Sequence, residues 1–156
     1  MKQAPSGIKI ICKNKKAFFE YLIEEKIEAG LALAGSEVKS LRDGQASLSD
    51  SYGLIKNGEA WLLNAHIAPY PPAAFGNHAP KRTRKLLLHK TQIGKLLGKL
   101  KEKGYTLIPT MLYFKEGKAK VELGLARGKR QYDKRAAIKE REGKREVTRA
   151  LRQRNR

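Results

Sequence analysis

A chain of 156 residues, with 34 Lys or Arg against 15 Asp or Glu and a net charge of +19, has room for one domain with a modest core and a tail. The charge calls for a polyanionic partner, and a single cysteine, Cys12, excludes an internal disulfide and a cysteine-cage zinc site. No run approaches the ~18 consecutive apolar residues of a membrane span and no strong apolar stripe suits a membrane surface, so nucleic acid is the favoured polyanion.

Residues 1–7 contain Pro5 and Gly7 and read as a flexible lead without a hydrophobic signal core, which points to a cytoplasmic protein. Ile8, Ile10, Ile11 and Cys12 predict a short strand. Asn14 can cap a helix over 15–26, where Phe18, Phe19, Leu22 and Ile23 share one face of a 3.6-residue period. Glu28-Ala29-Gly30 reads as a break. Leu31, Leu33 and Val38 then predict an extended segment bent at Gly35, ending in the turn Arg42-Asp43-Gly44. Residues 47–55 alternate as a strand, Asn57-Gly58 predicts a type I′ hairpin turn, and Trp61, Leu62 and Leu63 form the return strand.

From 66 to 84 the prolines Pro69, Pro71, Pro72 and Pro80 forbid regular structure over most of a long loop, a kind that is often functional. The loop ends in Lys81-Arg82-Thr83-Arg84-Lys85, followed by Leu86-Leu87-Leu88. Ile93, Leu96, Leu97 and Leu100 lie on one stripe of a second helix stopped by Gly104; Gly94 and Gly98 weaken it or admit a close neighbour. A hairpin of 106–114 and 119–125, turning at Glu116-Gly117, follows. Five or six strands and two helices with mostly antiparallel connections suit an α+β fold: a small, partly closed β-barrel with flanking helices. The oligonucleotide-binding fold is one such barrel, though this inventory alone does not select it.

The last segment, 127–156, holds thirteen Lys or Arg and four Asp or Glu, a net +9, which leaves +10 on the body. Its larger aliphatics are Ile138, Val147 and Leu151, too few to offset the roughly 1–2 kcal/mol per residue that ordering a backbone costs. It is expected to be disordered until a polyanion orders it. The domain plan is therefore a lead at 1–7, a barrel at 8–126 and a tail at 127–156.

No catalytic constellation emerges. His66, His78 and His89 lack metal-ligand spacing, the serines (Ser36, Ser40, Ser47, Ser49, Ser51) lack a nucleophile elbow, and Gly94 and Gly98 open no phosphate loop. No enzyme, cofactor or metal is expected. Binding signals are better: Lys13, Lys15 and Lys16 form one basic group, 81–85 a second, Lys118 and Lys120 a third. Each alone is an ordinary solvated face; together, on a body at +10, they point to RNA or DNA. Tyr132, between basic clusters, can stack on a base, whereas Trp61 and Tyr113 fit a core.

Six colinear runs carry a resemblance: Asn14-Lys15-Lys16-Ala17, Glu28-Ala29-Gly30-Leu31, Glu37-Val38-Lys39-Ser40-Leu41-Arg42, Asp50-Ser51-Tyr52, Arg82-Thr83-Arg84-Lys85-Leu86-Leu87-Leu88 and Gly128-Lys129-Arg130-Gln131-Tyr132-Asp133-Lys134-Arg135. With these the chain resembles the SsrA-binding protein (small protein B) family, the bacterial partner of transfer-messenger RNA in rescuing stalled ribosomes. Departures are small: Ala79-Pro80 stands where Asp-Pro is usual, and Arg130 replaces a common second Lys. The resemblance implies an oligonucleotide-binding barrel that grips the tRNA-like domain of transfer-messenger RNA, supporting its charging by alanyl-tRNA synthetase and its delivery with elongation factor Tu. It implies RNA-binding roles for Asn14, Glu28, Leu87 and Lys120, to which the basic groups add Lys15, Lys16, Arg82, Arg84 and Lys85. It further implies that the tail, through Gly128, Lys129, Arg130, Tyr132, Asp133, Lys134 and Arg135, enters the ribosome's empty mRNA channel and decoding centre and becomes helical there. A structural ribosomal protein with a basic extension would suit the composition equally well.

Overall fold

The computed structural model describes residues 7–72, 76–102, 104–129 and the positions 141, 142, 144, 145 and 149. In chain order the elements are β1 (Ile8–Lys13), α1 (Lys15–Glu20), β2 (Tyr21–Leu31), α2 (Gly35–Arg42), β3 (Ala46–Ser47), β4 (Tyr52–Lys56), β5 (Glu59–Leu63), β6 (His66–Ile67), β7 (Arg84–Leu87), α3 (Lys90–Leu100), β8 (Tyr105–Lys115) and β9 (Lys118–Gly128). Seven strands form one antiparallel sheet in the order β1-β8-β4-β5-β7-β2-β9, and a further β8–β9 pairing closes the last strand onto the second to make a barrel. The expected α+β class, with an oligonucleotide-binding-like barrel, is borne out.

Closure depends on a narrow contact. β4 meets β8 through the single register pair Gly53↔Leu107, while the other half of β8 carries β1. A Cβ on Gly53 would lie 2.6 Å from Leu107 Cδ2 and 2.9 Å from its Cγ, and Leu107 is fully buried. Gly53→Ala is therefore expected to lower unfolding free energy by about 1–3 kcal/mol through overpacking, read by urea denaturation. An unchanged midpoint would mean that Leu107 can turn aside freely.

The two hairpins form as expected. Asn57 and Gly58 (φ 53° and 73°) and Glu116 and Gly117 (φ 51° and 78°) have the paired positive φ values of type I′ turns, whose twist matches the flanking strands. The second predicted helix is α3; it buries Leu96, and Gln92 Oε1 accepts from the His89 N–H at 3.0 Å at its start. Within the described chain nothing approaches the space beside Gly94 or Gly98.

Two expectations fail. The helix over 15–26 stops at Glu20, and Tyr21 begins an 11-residue strand that absorbs the supposed break at Glu28-Ala29-Gly30. The physical reason is a bulge between Ile23 and Glu25, which reverses the facing of alternate residues. Tyr21 and Ile23 thereby pack with Ala17 and Ile108 under α1, while Ile27, Ala29 and Leu31 join the main core. The apolar pattern therefore served two faces of one strand, not one face of a helix.

Second, the extended segment around Val38 is the helix α2. Gly35 opens it, and Glu37 at its third position accepts the Ala34 N–H at 2.9 Å, an N-terminal signature. The long loop lacks regular structure over most of its described length, as expected, and it is fastened. His78 bridges Ser36 Oγ at 2.8 Å and the Ile67 carbonyl at 2.9 Å, and Asn77 bonds both the N–H and the carbonyl of Tyr70. β6 within it pairs with β3.

The predicted tail boundary also shifts. β9 runs to Gly128, and Lys129 is clipped to the end of α1, its N–H to the Glu20 carbonyl at 2.9 Å and its Nζ to the Phe18 carbonyl at 2.9 Å. Residues 130–140 lie outside the described residues. Arg141, which is described, places its guanidinium 5.5 Å from the centroid of the Phe19 ring.

Candidate RNA interface

One face gathers residues that are far apart in sequence. Glu28 on β2 sits opposite Glu122 on β9, and Lys120 on β9 is opposite both Gly30 on β2 and Tyr113 on β8. β7 brings Leu87 opposite Gly30, where the missing side chain lets it close in: a Cβ there would lie 3.1 Å from the Leu87 Cβ. Leu87 is 53% exposed, an apolar surface set beside the lysines. Glu28, Leu87 and Lys120 line one depression of about 470 Å³. It adjoins a groove of about 1000 Å³ between α3 and the barrel, whose lining includes Lys85, Lys90, Lys118 and Leu97.

Glu28 is held by neighbours on β8. Its Oε2 accepts from the Tyr113 hydroxyl and from Lys115 Nζ at 3.5 Å. The Tyr113 hydroxyl keeps the carboxyl below the usual range, with Lys115 and Lys120 adding to this against the effect of burial. Burial first, and the Glu28 carboxylate second, push the Tyr113 phenol up, so it remains a neutral donor. A carboxylate with a depressed pKa contributes stability above its unfolded pKa and loses it as pH falls through the folded value. Glu122 is occupied separately, by Thr110 Oγ1 at 2.6 Å and Lys26 at 4.0 Å.

Chemically, this face offers ammonium groups for phosphates, one ionised acceptor for an N–H or O–H donor, and an apolar ridge for a base or sugar. Tyr113 was read from sequence as a core residue, and at 4% exposure it is one; its polar end was missed. So were Lys115 and Thr110. Only strand register places Lys115 beside Glu28 and Thr110 beside Glu122, and register is not visible in composition.

The remaining expected residues divide. Lys85 lines the groove and reaches Glu59 at 3.3 Å. Lys15 is exposed on α1, while Lys16 pairs with Asp50 at 2.8 Å beside a second cleft of about 370 Å³ lined by Tyr21, Tyr52 and Ile108. Asn14 is 5% exposed and fully engaged: its Nδ2 donates to the carbonyls of Pro109 (2.9 Å) and Leu48 (3.2 Å), and its Oδ1 caps Ala17 N–H at 3.2 Å. It stands at the start of α1 and lines the second cleft, whereas Glu28 lines the first depression.

Arg84 lies farthest from solvent of the expected residues. It is fully buried, with Nε on Glu37 Oε2 and Nη1 on the Ala65 carbonyl at 2.7 Å, so its guanidinium is enclosed within the chain. Arg82, 41% exposed, bonds the other oxygen of Glu37. Of the tail residues, Gly128 and Lys129 are placed above; Arg130, Tyr132, Asp133, Lys134 and Arg135 lie outside the described residues.

Among the described residues no group of three or more His, Cys, Asp or Glu could hold a metal ion, and no helix is long and apolar enough to cross a membrane. Burial pushes the Cys12 thiol up to about 11, which keeps it an unreactive thiol at neutral pH.

Comparison with known proteins gives the family. The model of the family described as SmpB protein matches residues 11–153. The chain belongs to the SmpB family. An SsrA-binding protein of Geobacter sulfurreducens is 58% identical over 152 residues, covering 96% of this chain and 97% of the relative. One of Acidothermus cellulolyticus is 60% identical over 146 residues, covering 94% and 92% respectively. A solved chain described as "tmRNA-SmpB: a journey to the center of the bacterial ribosome" is 46% identical, with a TM-score of 0.67, covering 85% of this chain and 95% of that one.

Proposed function

We infer that this chain is an RNA-binding adaptor, not an enzyme, that binds transfer-messenger RNA and acts with it on stalled ribosomes in trans-translation. The observation that carries the reading is the convergence of Glu28, Leu87 and Lys120, from β2, β7 and β9, on one lysine-rimmed face of a chain whose relatives are named SsrA-binding proteins. On this face Lys120, Lys85 and the groove lysines take the phosphates of the tRNA-like domain, Leu87 packs on a base or sugar, and Glu28 accepts from a base amino group or a ribose hydroxyl. Asn14 acts indirectly by holding α1 to the barrel, and Lys15 and Lys16 supply charge on a separate face. The tail from Arg130 onward takes the empty mRNA channel and decoding centre, ordering as a helix on ribosomal RNA. Alanyl-tRNA synthetase and elongation factor Tu are the functional partners this role entails, and the cytoplasm is its place.

Purified protein should bind transfer-messenger RNA far more tightly than an equal length of ribosomal RNA. Equal affinity for both would favour a structural ribosomal protein with a basic extension and sink the adaptor reading. Lys120→Ala is expected to weaken binding and to flatten the slope of log K against log salt by roughly 0.7–0.9, the signature of one lost phosphate contact. A weaker affinity at unchanged slope would take Lys120 off the phosphates.

A further inference from the structure

We propose that Tyr113 is the positioning residue of this face: its hydroxyl fixes one oxygen of Glu28 so that the other is presented, ionised, to an N–H or O–H donor of the bound RNA. The inference rests on the reading of the face as the RNA site and adds a residue to it.

The geometry has four parts. Tyr113 and Lys115 donate to the same oxygen, Oε2, and Oε1 has no hydrogen-bond partner among the described residues. Glu28 is 40% exposed at its side chain, so the unused oxygen is open to a ligand. The Tyr113 ring is fixed: it is 4% exposed, at a register position between Ile10 on β1 and Lys120 on β9. Finally, Glu122, directly across from Glu28, is engaged by Thr110 and Lys26, so the two carboxylates have separate partners.

The choice of a phenol matters because of what surrounds it. The ionisable groups around Glu28 include Lys115 and Tyr113 on β8, Lys120 and Glu122 on β9, and Lys26 and His89, which line the same depression. A glutamate held only by lysines would swing among long, mobile ammonium groups and be neutralised by them. A neutral hydroxyl on a rigid ring orients the carboxylate and leaves its charge intact. An acceptor-only anion repels a phosphate placed against it and rewards a base amino group or a 2′-hydroxyl, so it selects how the RNA docks more than how strongly it is attracted.

A double-mutant cycle tests this with the full chain, using the tRNA-like domain of transfer-messenger RNA as probe. Tyr113→Phe keeps the ring and removes the hydroxyl. It is expected to weaken binding by about three- to tenfold with Glu28 present and to have no further effect in Glu28→Ala. In the free Tyr113→Phe protein, the titration midpoint of the Glu28 carboxyl, followed by NMR, should move up toward the ordinary glutamate value, while the amide spectrum stays native. The same loss in both backgrounds, or an unmoved midpoint, overturns the inference and leaves the RNA-face reading standing. If Glu28→Ala binds as tightly as the unaltered protein, the RNA-face reading falls and the inference falls with it.

Discussion

Replacing Glu37 by alanine is expected to remove about 3–5 kcal/mol of folding stability, a large part of the roughly 5–15 kcal/mol available to a domain. Glu37 and Arg84 are both fully buried, and Arg84 also donates to the Ala65 carbonyl and, at 3.1 Å, to the Pro80 carbonyl. Taking away the carboxylate leaves a guanidinium enclosed without its counter-charge. The cluster ties α2, β7 and the end of the proline-rich loop together, so the loss is global. Urea unfolding should show a lower midpoint with little change in slope. An apolar double replacement, Glu37→Leu with Arg84→Met, should cost less than Glu37→Ala alone, because it removes both desolvated charges together. If the single change costs under about 1 kcal/mol, water reaches the pair and its burial is not what the geometry implies. The pH dependence has a fixed sign. Burial would raise the Glu37 pKa, but bonds from Arg82, the Ala34 N–H and Arg84 hold it lowered. Its contribution is therefore full above the ordinary glutamate value and disappears as pH falls through the folded one.

Cutting the chain after Lys129 is expected to separate binding from rescue. The cut spares β9 and the two bonds from Lys129 to α1, and removes eleven Lys or Arg against four Asp or Glu. Affinity for transfer-messenger RNA at physiological salt should stay within roughly tenfold, since the lost charges act mainly through non-specific, salt-sensitive attraction. Peptide tagging on stalled ribosomes should be abolished. Normal tagging by the truncated chain would remove the tail from the decoding step. A cut after Arg127 is a poorer experiment, because it also removes the last residue of β9 and the Lys129 clip.

What was legible follows from the range of the interactions involved. Both hairpin turns and α3 are set by neighbours within a few residues, and the sequence shows them, the type I′ geometry at Asn57-Gly58 included. The α2 start was equally local, in Gly35 and Glu37, but the alternation of Leu31 and Leu33 drew the reading toward a strand. β2 was hidden for a different reason. A single bulge divides Ile23 from Ile27 between two packing faces, and an unbroken period was sought where the chain changes period. At the site, resemblance supplied Glu28, Leu87 and Lys120, and the structure brings those three together. It also drew in Arg84 with its basic run, although a buried partner on another element, Glu37, takes up that charge. Charge runs report composition, and burial decides which members meet solvent.

The clip at Lys129 gives the barrel one more property, that of a gauge. Glu28 and Tyr21 belong to one strand, and their partners on β9 are Glu122 and Gly128. The Glu28 face and the root of the tail therefore sit toward opposite ends of one paired ribbon, about 20 Å apart at ~3.3 Å per residue. Neither end is free to drift, because β8 backs β9 along its length and α1 holds Lys129. A cargo seated at one end is thus held at a set span from the point where the tail departs. Lengthening that ribbon by two residues on each strand would preserve every facing while moving the tail's origin by about 7 Å.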